Sequence, residues 1–512
     1  MLNLTPVFRL YARSRVRQIF RLNGVGAQER QLHRLVRAAA TTRFGRDHRF
    51  ADIRTVDDFQ ARVPVRTYED FWKEYWQPSF PRLQDCTWPG SIPYFALTSG
   101  TTSGVTKFIP CSDAMVASNR RAMLDVVAYH LHRHPESRLF AGRCFMLGGS
   151  ASLRELAPDV WCGDLSGIAG KTVPAWARLR YFPPRDLETI ADWETKIARL
   201  APASLSAEIR AMGGIPSWLL LFFEKLAQLG GGESRLVDFY PDLEMLIHGG
   251  VNFAPYRPAF RRWLAGSRAE TREVYPASEG FIASADRGDG EGLRLVVDNG
   301  LFYEFIPLEE LGRPGMTRHW LGTVETGINY AIAVSTCAGL WSYLIGDTVR
   351  FIERQPPRLM VTGRTSYSLS AFGEHLSAEE IDAAITEATE EIGCEITDYV
   401  VGAVFPQRDR EPGGHLFIVE FATDAPPAAA AVSAFAARLD ALLAGRNEDY
   451  ESHRAGGYGM RPPVAHAVAP GTFAAWMKAR GRLGGQNKVP RVINDPELFA
   501  HLRAFTGADE PL

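Results

Sequence analysis

The chain has 512 residues, 46% of them hydrophobic and 23% charged, with a formal net charge of −2. That length and composition indicate a soluble globular protein of more than one domain, and the near-neutral balance argues against a nucleic-acid partner, which would require a basic excess. Six cysteines at 86, 111, 144, 162, 337 and 394 include no C-x-x-C pair, which argues against zinc and a disulfide scaffold and for a reducing, cytoplasmic setting.

The N-terminus, MLNLTPVFRLYARSRVRQIFRL, has several arginines and no acid. It lacks the uninterrupted apolar run of a secretory signal. An organellar presequence or a membrane-surface helix fits the composition, but Phe8, Leu10, Tyr11, Val16 and Phe20 also fit one face of a helix docked on the body. No segment reaches the ~20 apolar residues of a bilayer span, so no membrane span is expected. Residues 29–75 read as helices and short connectors, and 92–110 as strand, loop and strand. Residues 112–134 and 186–230 read as helical, the second broken at GGIP, 213–216. HLHRHP, 130–135, alternates its histidines on different helix faces, which favours a solvated helix end over a metal site. LEMLIHGG, 243–250, is a short apolar run ending in two glycines, the pattern of a buried parallel strand entering a loop.

Residues 293–353 alternate as strands, with a turn-forming Asn299-Gly300 pair. The strand-rich part is expected to end around 355–366. A helix from Ser377 to about Ile392, strands at 398–405 and 415–422, and a helix over 428–444 follow. This reading places an N-terminal domain at 1–362 and a smaller α+β domain at 363–512.

One short stretch carries the chemistry. LTSGTTSGVTKFIP, 97–110, lines up Ser99, Gly100, Thr101, Thr102, Ser103 and Gly104 just before Lys107. Small hydroxyls bury little apolar surface, but backbone N–H groups, hydroxyls and one ammonium suit a loop that wraps a polyphosphate. The spacing is not that of the common nucleotide P-loop, since Lys107 does not follow a glycine. EVYPASEGF (273–281), GLWSYLIGDTVRF (339–351) and TGRTSYSLSAFGEHLSAEEID (362–382) follow. Each alone reads as an ordinary turn or solvated acid; their order is what is distinctive.

That order resembles the adenylate-forming superfamily of acyl-CoA synthetases, peptide-synthetase adenylation domains and luciferases. FALTSGTTSGVTKFIP, HGGVNFAPY, VYPASEG, LFYEFIP, STCAGLWSYLIGD and GRTSYSLSAFGEHLSAEE resemble one branch of it. That branch is the Gretchen Hagen family of auxin-responsive acyl acid–amido synthetases and their bacterial relatives. The likeness runs from about residue 92 to 382, with a weaker match in GGQNKVPR, 484–491.

The resemblance implies an α/β adenylate-forming fold, with a large N-terminal α/β domain that includes a β-rich portion and a smaller mobile C-terminal domain. It implies ATP and Mg²⁺ as cofactors, and a carboxylic acid and an amine or amino acid as substrates. Ser99, Gly100, Thr101, Thr102 and Lys107 would cover the phosphates. Gly249, Gly250 and Val251 would offer backbone to adenine, and Tyr275 its ring, with Ser278 also at the nucleotide. Glu279 would hold Mg²⁺, Asp347 the ribose hydroxyls, and Arg364, at a hinge with Gly363, the ribose and phosphate. Lys488 would be the mobile-domain lysine that joins Lys107 and Glu279 in catalysis.

The acyl pocket would be lined by Met115, Asn119, Arg120 and Met123, with Arg120 or Arg121 steering the acid. The chain departs from plant members in Gly373-Glu374-His375, where a lysine is frequent, and in Trp341-Ser342-Tyr343. An acyl-CoA ligase and a non-catalytic nucleotide binder are the alternatives. Against the ligase, Arg408 and Arg410 alternate with Asp409 and Glu411 and make no basic cluster for coenzyme A. Against the non-catalytic binder stand the intact Glu279, Asp347 and Lys107.

Overall fold

A sheet of twelve strands runs through the first of two units into which the computed structural model divides. The structure describes residues 2–99, 106–148, 152–190, 192–231, 235–250, 253, 256–365, 368–369, 371–372, 374, 376–404, 413–423, 427–447, 450–451, 454, 460–483 and 488–508. The first unit takes in residues 1–100, 104–251 and 263–361, and the second 101–103, 252–262 and 362–512. The segment 252–262 is joined to the second unit, which a boundary placed by chain order at 363 does not anticipate.

One half of the large sheet is parallel. Glu270–Ala277, Met245–Gly249, Ile209–Gly214, Arg143–Leu147 and Tyr181–Phe182 lie side by side in that order. Ile209–Gly214 corrects the helical reading of 186–230. It is a buried strand between the helices Trp193–Leu205 and Pro216–Gly230, and a short apolar run of this kind cannot be told from a helical segment by periodicity. Its Gly213 lets Met146 approach, since a Cβ there would lie 2.9 Å from the Met146 sulfur.

The other half is antiparallel. Gly280–Ser284 folds back on Glu270–Ala277 and is followed by Leu293–Leu295 and Pro357–Arg364. Tyr343–Arg354, Asn329–Thr336, Leu301–Pro307 and His319–Trp320 complete the order. The strand Pro357–Arg364 therefore runs through the stretch where the sequence reading ends the strands. A separate four-stranded sheet holds the hairpin Tyr94–Ser99 and Thr106–Cys111, with Val160–Gly163 and Arg154–Ala157 beside it.

The N-terminal helix Thr5–Arg21 docks on the body through only part of the expected face, Val16 and Phe8. Thr5, Ala12, Arg15, Val16 and Ile19 are buried, whereas Leu10, Tyr11 and Phe20 are exposed. An ion cluster sets this rotation. The Arg15 guanidinium grips Asp125 through two bonds of 2.8 Å and Asp298 through bonds of 2.9 and 3.1 Å. Asp125 belongs to the helix Asp113–Arg133, so the cluster fastens one helix to the other.

In the second unit, Val464–Val468, Gly414–Phe421, Ile396–Val404 and Val492–Ile493 form a sheet in that order. Its residues alternate between two cores: Tyr399, Val401, Phe417 and Val419 enter one, and Val400, Leu416 and Ile418 the other. Both faces are thus covered by apolar packing. The helix Ala378–Glu391 starts from a capping box in which Ser377 and Glu380 satisfy each other's backbone N–H groups. Among the described residues, no helix is long and apolar enough to cross a membrane.

Candidate active site

The hairpin that frames the proposed phosphate loop is fixed by its register, Tyr94 opposite Cys111 through Ser99 opposite Thr106. Gly100, Thr101 and Thr102, like Val251, lie outside the described residues, and of Ser99 only the backbone is described, as the end of its strand. Lys107, opposite Thr98, holds its ammonium 3.4 Å from Glu69 Oε1 and 5.3 Å from the centre of the Tyr68 ring. Glu69 is largely exposed, so this ion pair is weak and Lys107 can exchange it for a stronger anion. The Tyr68 hydroxyl accepts a hydrogen bond from the Phe108 backbone at 3.0 Å, which ties the second strand of the hairpin to the body.

The hairpin Glu270–Ala277 to Gly280–Ser284 carries the next group. Ala277 pairs with Gly280, so Ser278 and Glu279 form the two-residue turn between the halves of the large sheet. Ser278 is half-buried and Glu279 is buried. The Glu279 carboxylate is hydrogen-bonded to the Tyr343 phenol; burial first, and then this neighbouring charge, push Tyr343 well above the ordinary tyrosine pKa. Tyr343 therefore stays protonated and donates.

A second pair forms on the same hairpin. The Tyr275 hydroxyl donates to Asp347 Oδ2 at 2.7 Å. The ring itself is buried in the main core rather than standing free for adenine, so what Tyr275 offers here is its hydroxyl. Gly346, at φ 90°, gives the strand Tyr343–Arg354 a left-handed residue immediately before Asp347.

The sequence motifs did not single out the support beneath Tyr343. Glu304 is fully buried in an otherwise apolar strand, LFYEFIP, and a carboxylate at such a position was the available signal. It accepts from Arg318 Nη2 at 2.7 Å, from Gln60 at 3.0 Å and from the Ser342 hydroxyl at 2.5 Å. Ser342 sits at φ 46°, a conformation a non-glycine residue adopts at a cost, and these bonds hold it there. The residue next to Tyr343 is thus clamped.

Gly249 ends its strand where a Cβ would lie 2.1 Å from the Val274 carbonyl oxygen, so only glycine fits; Gly250 follows, exposed, at φ 87°. Of the four residues expected to line an acyl pocket, three face the body and one faces solvent. Met115 is buried in the main core, and Met123 packs beside the N-terminal helix. Asn119 Oδ1 accepts from the Phe281 backbone at 3.1 Å, and Arg120 is exposed, as is Arg121. Residues 115, 119 and 123 share the stripe that fastens the helix to the body, and Arg120 lies about 100° away from it.

In the second unit, Arg364 ends its strand, half-buried, after Gly363 at φ 144°. Lys488 is exposed. Glu374 is buried and accepts from His415 and from the backbone N–H groups of Ala371 and Phe372, so it is a structural acid. Its neighbours Gly373 and His375, and Arg408 and Arg410, lie outside the described residues.

The fold is that of the adenylate-forming enzymes. An acyl acid amido synthetase, GH3.15, matches at a TM-score of 0.77 with 18% identity, over 95% of this chain and 94% of that one. A 2-hydroxyisobutyryl-CoA ligase in its postadenylation state, with 2-HIB-AMP, matches at 0.61 with 18% identity, over 94% and 91%. Sequence profiles of the GH3 family match its N-terminal domain at residues 20–155, its central domain at 294–364 and its C-terminal domain at 379–497. Together these cover more than half of the chain, and the protein belongs to the GH3 family.

Relatives include the indole-3-acetic acid-amido synthetase GH3.8 of Oryza sativa subsp. indica, 26% identical over 50% of this chain and 44% of that protein. The jasmonoyl–L-amino acid synthetase GH3.5 of Oryza sativa subsp. japonica is 26% identical over 47% and 44%. The match thus spans under half the length of these two enzymes. A probable indole-3-acetic acid-amido synthetase, GH3.1 of Arabidopsis thaliana, is 22% identical over 92% of this chain and 90% of its own.

Proposed function

We propose that this chain is an acyl acid–amido synthetase: it joins a carboxylic acid to the α-phosphate of ATP, releases pyrophosphate, and transfers the acyl group to an amine, with an amino acid as the acceptor. The observation that carries this reading is the pair of bonds at one hairpin, Tyr343 to Glu279 and Tyr275 to Asp347, in a chain of the GH3 family. Adenylation asks the protein for positioning and charge screening more than for covalent chemistry. Lys107, in a weak surface ion pair, supplies a cation at the loop. Asp347, oriented by a phenol, supplies an acceptor for ribose hydroxyls.

Glu279 fits a magnesium ligand, being a buried carboxylate already held by one donor, and Mg²⁺ takes one or two carboxylates together with substrate phosphates. When bound, the ion screens the charge between nucleotide and acid. Arg364 and Lys488 are assigned to ribose–phosphate contact and to the reacting carboxylate, and Gly249, Gly250 and Val251 to adenine. The second unit would move between the two half-reactions about Gly363 and Arg364. All six cysteines are unpaired thiols, which supports a reducing, cytoplasmic setting.

The acceptor amine must arrive deprotonated, so amide formation is expected to rise from neutral to mildly alkaline pH. The deciding experiment gives the enzyme an accepted acid, ATP and Mg²⁺ with either mixed amino acids or coenzyme A, and reads the products by mass. Amide in the first tube supports the proposal. Thioester in the second with no amide in the first makes the chain an acyl-CoA ligase, and no pyrophosphate with any acid makes it a non-catalytic nucleotide binder.

A further inference from the structure

The helix Asp113–Arg133 begins beside the hairpin of the phosphate loop and ends about 30 Å away, at a rise of ~1.5 Å per residue. At that far end three side chains converge that the proposed reaction does not use. His130 is buried rather than part of a solvated helix end. His130 and His134 are four residues apart and share a face, and His132 is the histidine that points elsewhere. His130 Nδ1 lies 2.7 Å from Glu270 Oε1, and His134 Nε2 3.1 Å from Glu270 Oε2. One ligand atom from each of the three lies within 4.8 Å of the other two.

The outward nitrogens are provided for as well. His130 Nε2 is 3.2 Å from the Ser137 hydroxyl and 3.6 Å from Glu244, and His134 Nδ1 is 3.5 Å from Glu136. His130, which turns Nδ1 inward and gives Nε2 to an oxygen, is arranged as a metal ligand is, with its tautomer fixed from behind, while His134 is held more loosely.

We propose that His130 Nδ1, His134 Nε2 and Glu270 form a site for one divalent transition-metal ion of the zinc class, with a fourth position open to water beside the half-exposed His134. Two imidazoles and one carboxylate suit Zn²⁺ or Co²⁺, whereas Mg²⁺ and Ca²⁺ prefer oxygen ligands. The site is thus distinct in chemistry, as well as in place, from the magnesium position at Glu279. Bonds of about 2.0 Å set tetrahedral ligand separations near 3.3 Å, which the present spacing reaches by side-chain adjustment.

Arg272 Nε sits 2.6 Å from Glu270 Oε1 and keeps that oxygen, leaving Oε2 for the ion. Arg210 and Arg268 are paired with Glu244. Arg210 and Arg268 also pair with Asp242, so three guanidiniums stand against the four carboxylates of Glu136, Asp242, Glu244 and Glu270, and the surroundings are mildly acidic, which favours a cation. On binding, each ring presents a bare nitrogen to the ion and carries its single proton on the outward nitrogen, and any second ring proton leaves to solvent. The ion would tie the end of the helix to the first residue of the strand that carries Tyr275.

The test uses the full chain, stripped with chelator and titrated with Co²⁺. One equivalent is expected to bind, with the visible absorption of low-coordinate cobalt that Zn²⁺ abolishes. His134→Ala, at a half-exposed position that the fold tolerates, should weaken binding at least tenfold and remove the band. His132→Ala should bind as the wild type. The proposal is overturned if stoichiometric Co²⁺ gives no band, or if His134→Ala binds cobalt as the wild type does.

Discussion

Replacing Tyr275 with Phe removes one hydroxyl and keeps the buried ring. The lost bond, 2.7 Å to Asp347 Oδ2, has a charged acceptor, and such bonds contribute about 1.5–3 kcal/mol. Asp347 is half-buried, so water takes the place of the phenol and the effect falls at the low end, about 1.5 kcal/mol. That corresponds to about tenfold weaker ATP binding, if Asp347 must be oriented to meet the ribose. The first unit has about 350 residues. At ~2.1 cal/mol/K of unfolding entropy per residue, the same energy spent on stability lowers the thermal midpoint by only about 2 °C.

The assay is ATP titration by calorimetry, with acid-dependent exchange of pyrophosphate into ATP, on Tyr275→Phe, Asp347→Asn and the double variant. Because the phenol acts through the carboxylate, the double variant should bind ATP no worse than Asp347→Asn alone. Unchanged ATP affinity in Tyr275→Phe, with a lowered midpoint, would show the bond to be a structural tie and remove Asp347 from the ribose.

Arg15→Met leaves Asp125 buried without its partner, a loss of about 3–5 kcal/mol, and should lower the midpoint by about 4–7 °C; a drop under 1 °C would mean the cluster contributes nothing net. Gly249→Ala forces a Cβ against the Val274 carbonyl oxygen and should lower the midpoint by about 4 °C, for ~3 kcal/mol of overpacking; unaltered melting would disprove the contact. Burial raises the Asp164 carboxyl to about 6, against the opposing charge of Lys196. A carboxyl raised in the folded state stabilises fully below the unfolded value, near pH 4, and that contribution is lost as pH rises through 6. In full that is about 3 kcal/mol, and about half of it for a half-buried carboxyl, so Asp164→Asn should melt about 2 °C above wild type at pH 8 and equal to it below pH 4, and the opposite pH trend would refute the assignment.

The sequence made the family legible because its motifs are short runs of particular residues in a particular order. Glu279 and Asp347 stand out as acids beside glycines, the first in a turn and the second in a strand. Tyr343 was in plain view in YLIGD, but its bond to Glu279 joins residues 64 positions apart, and no local pattern reports that. Short elements were misread where burial overrides periodicity, as at Ile209–Gly214. The docked face of the first helix is only partly the apolar one, because the buried ion pairs of Arg15 fix its rotation and apolar spacing does not report them. The histidines at 130 and 134 were judged against their neighbour at 132 rather than against each other.

The two-residue turn at Ser278 and Glu279 has an evolutionary consequence. Ala277 opposes Gly280 directly, and side chains alternate faces along each strand. One inserted residue would turn Gly280 and Phe281, which precede the irregularity at Phe281–Ala283, to the wrong side of the sheet, and two would lift Glu279 away from Tyr343. This turn cannot change length, whatever acid or amine a family member comes to prefer. Insertions and deletions that retune substrate choice must accumulate in connections that set no register.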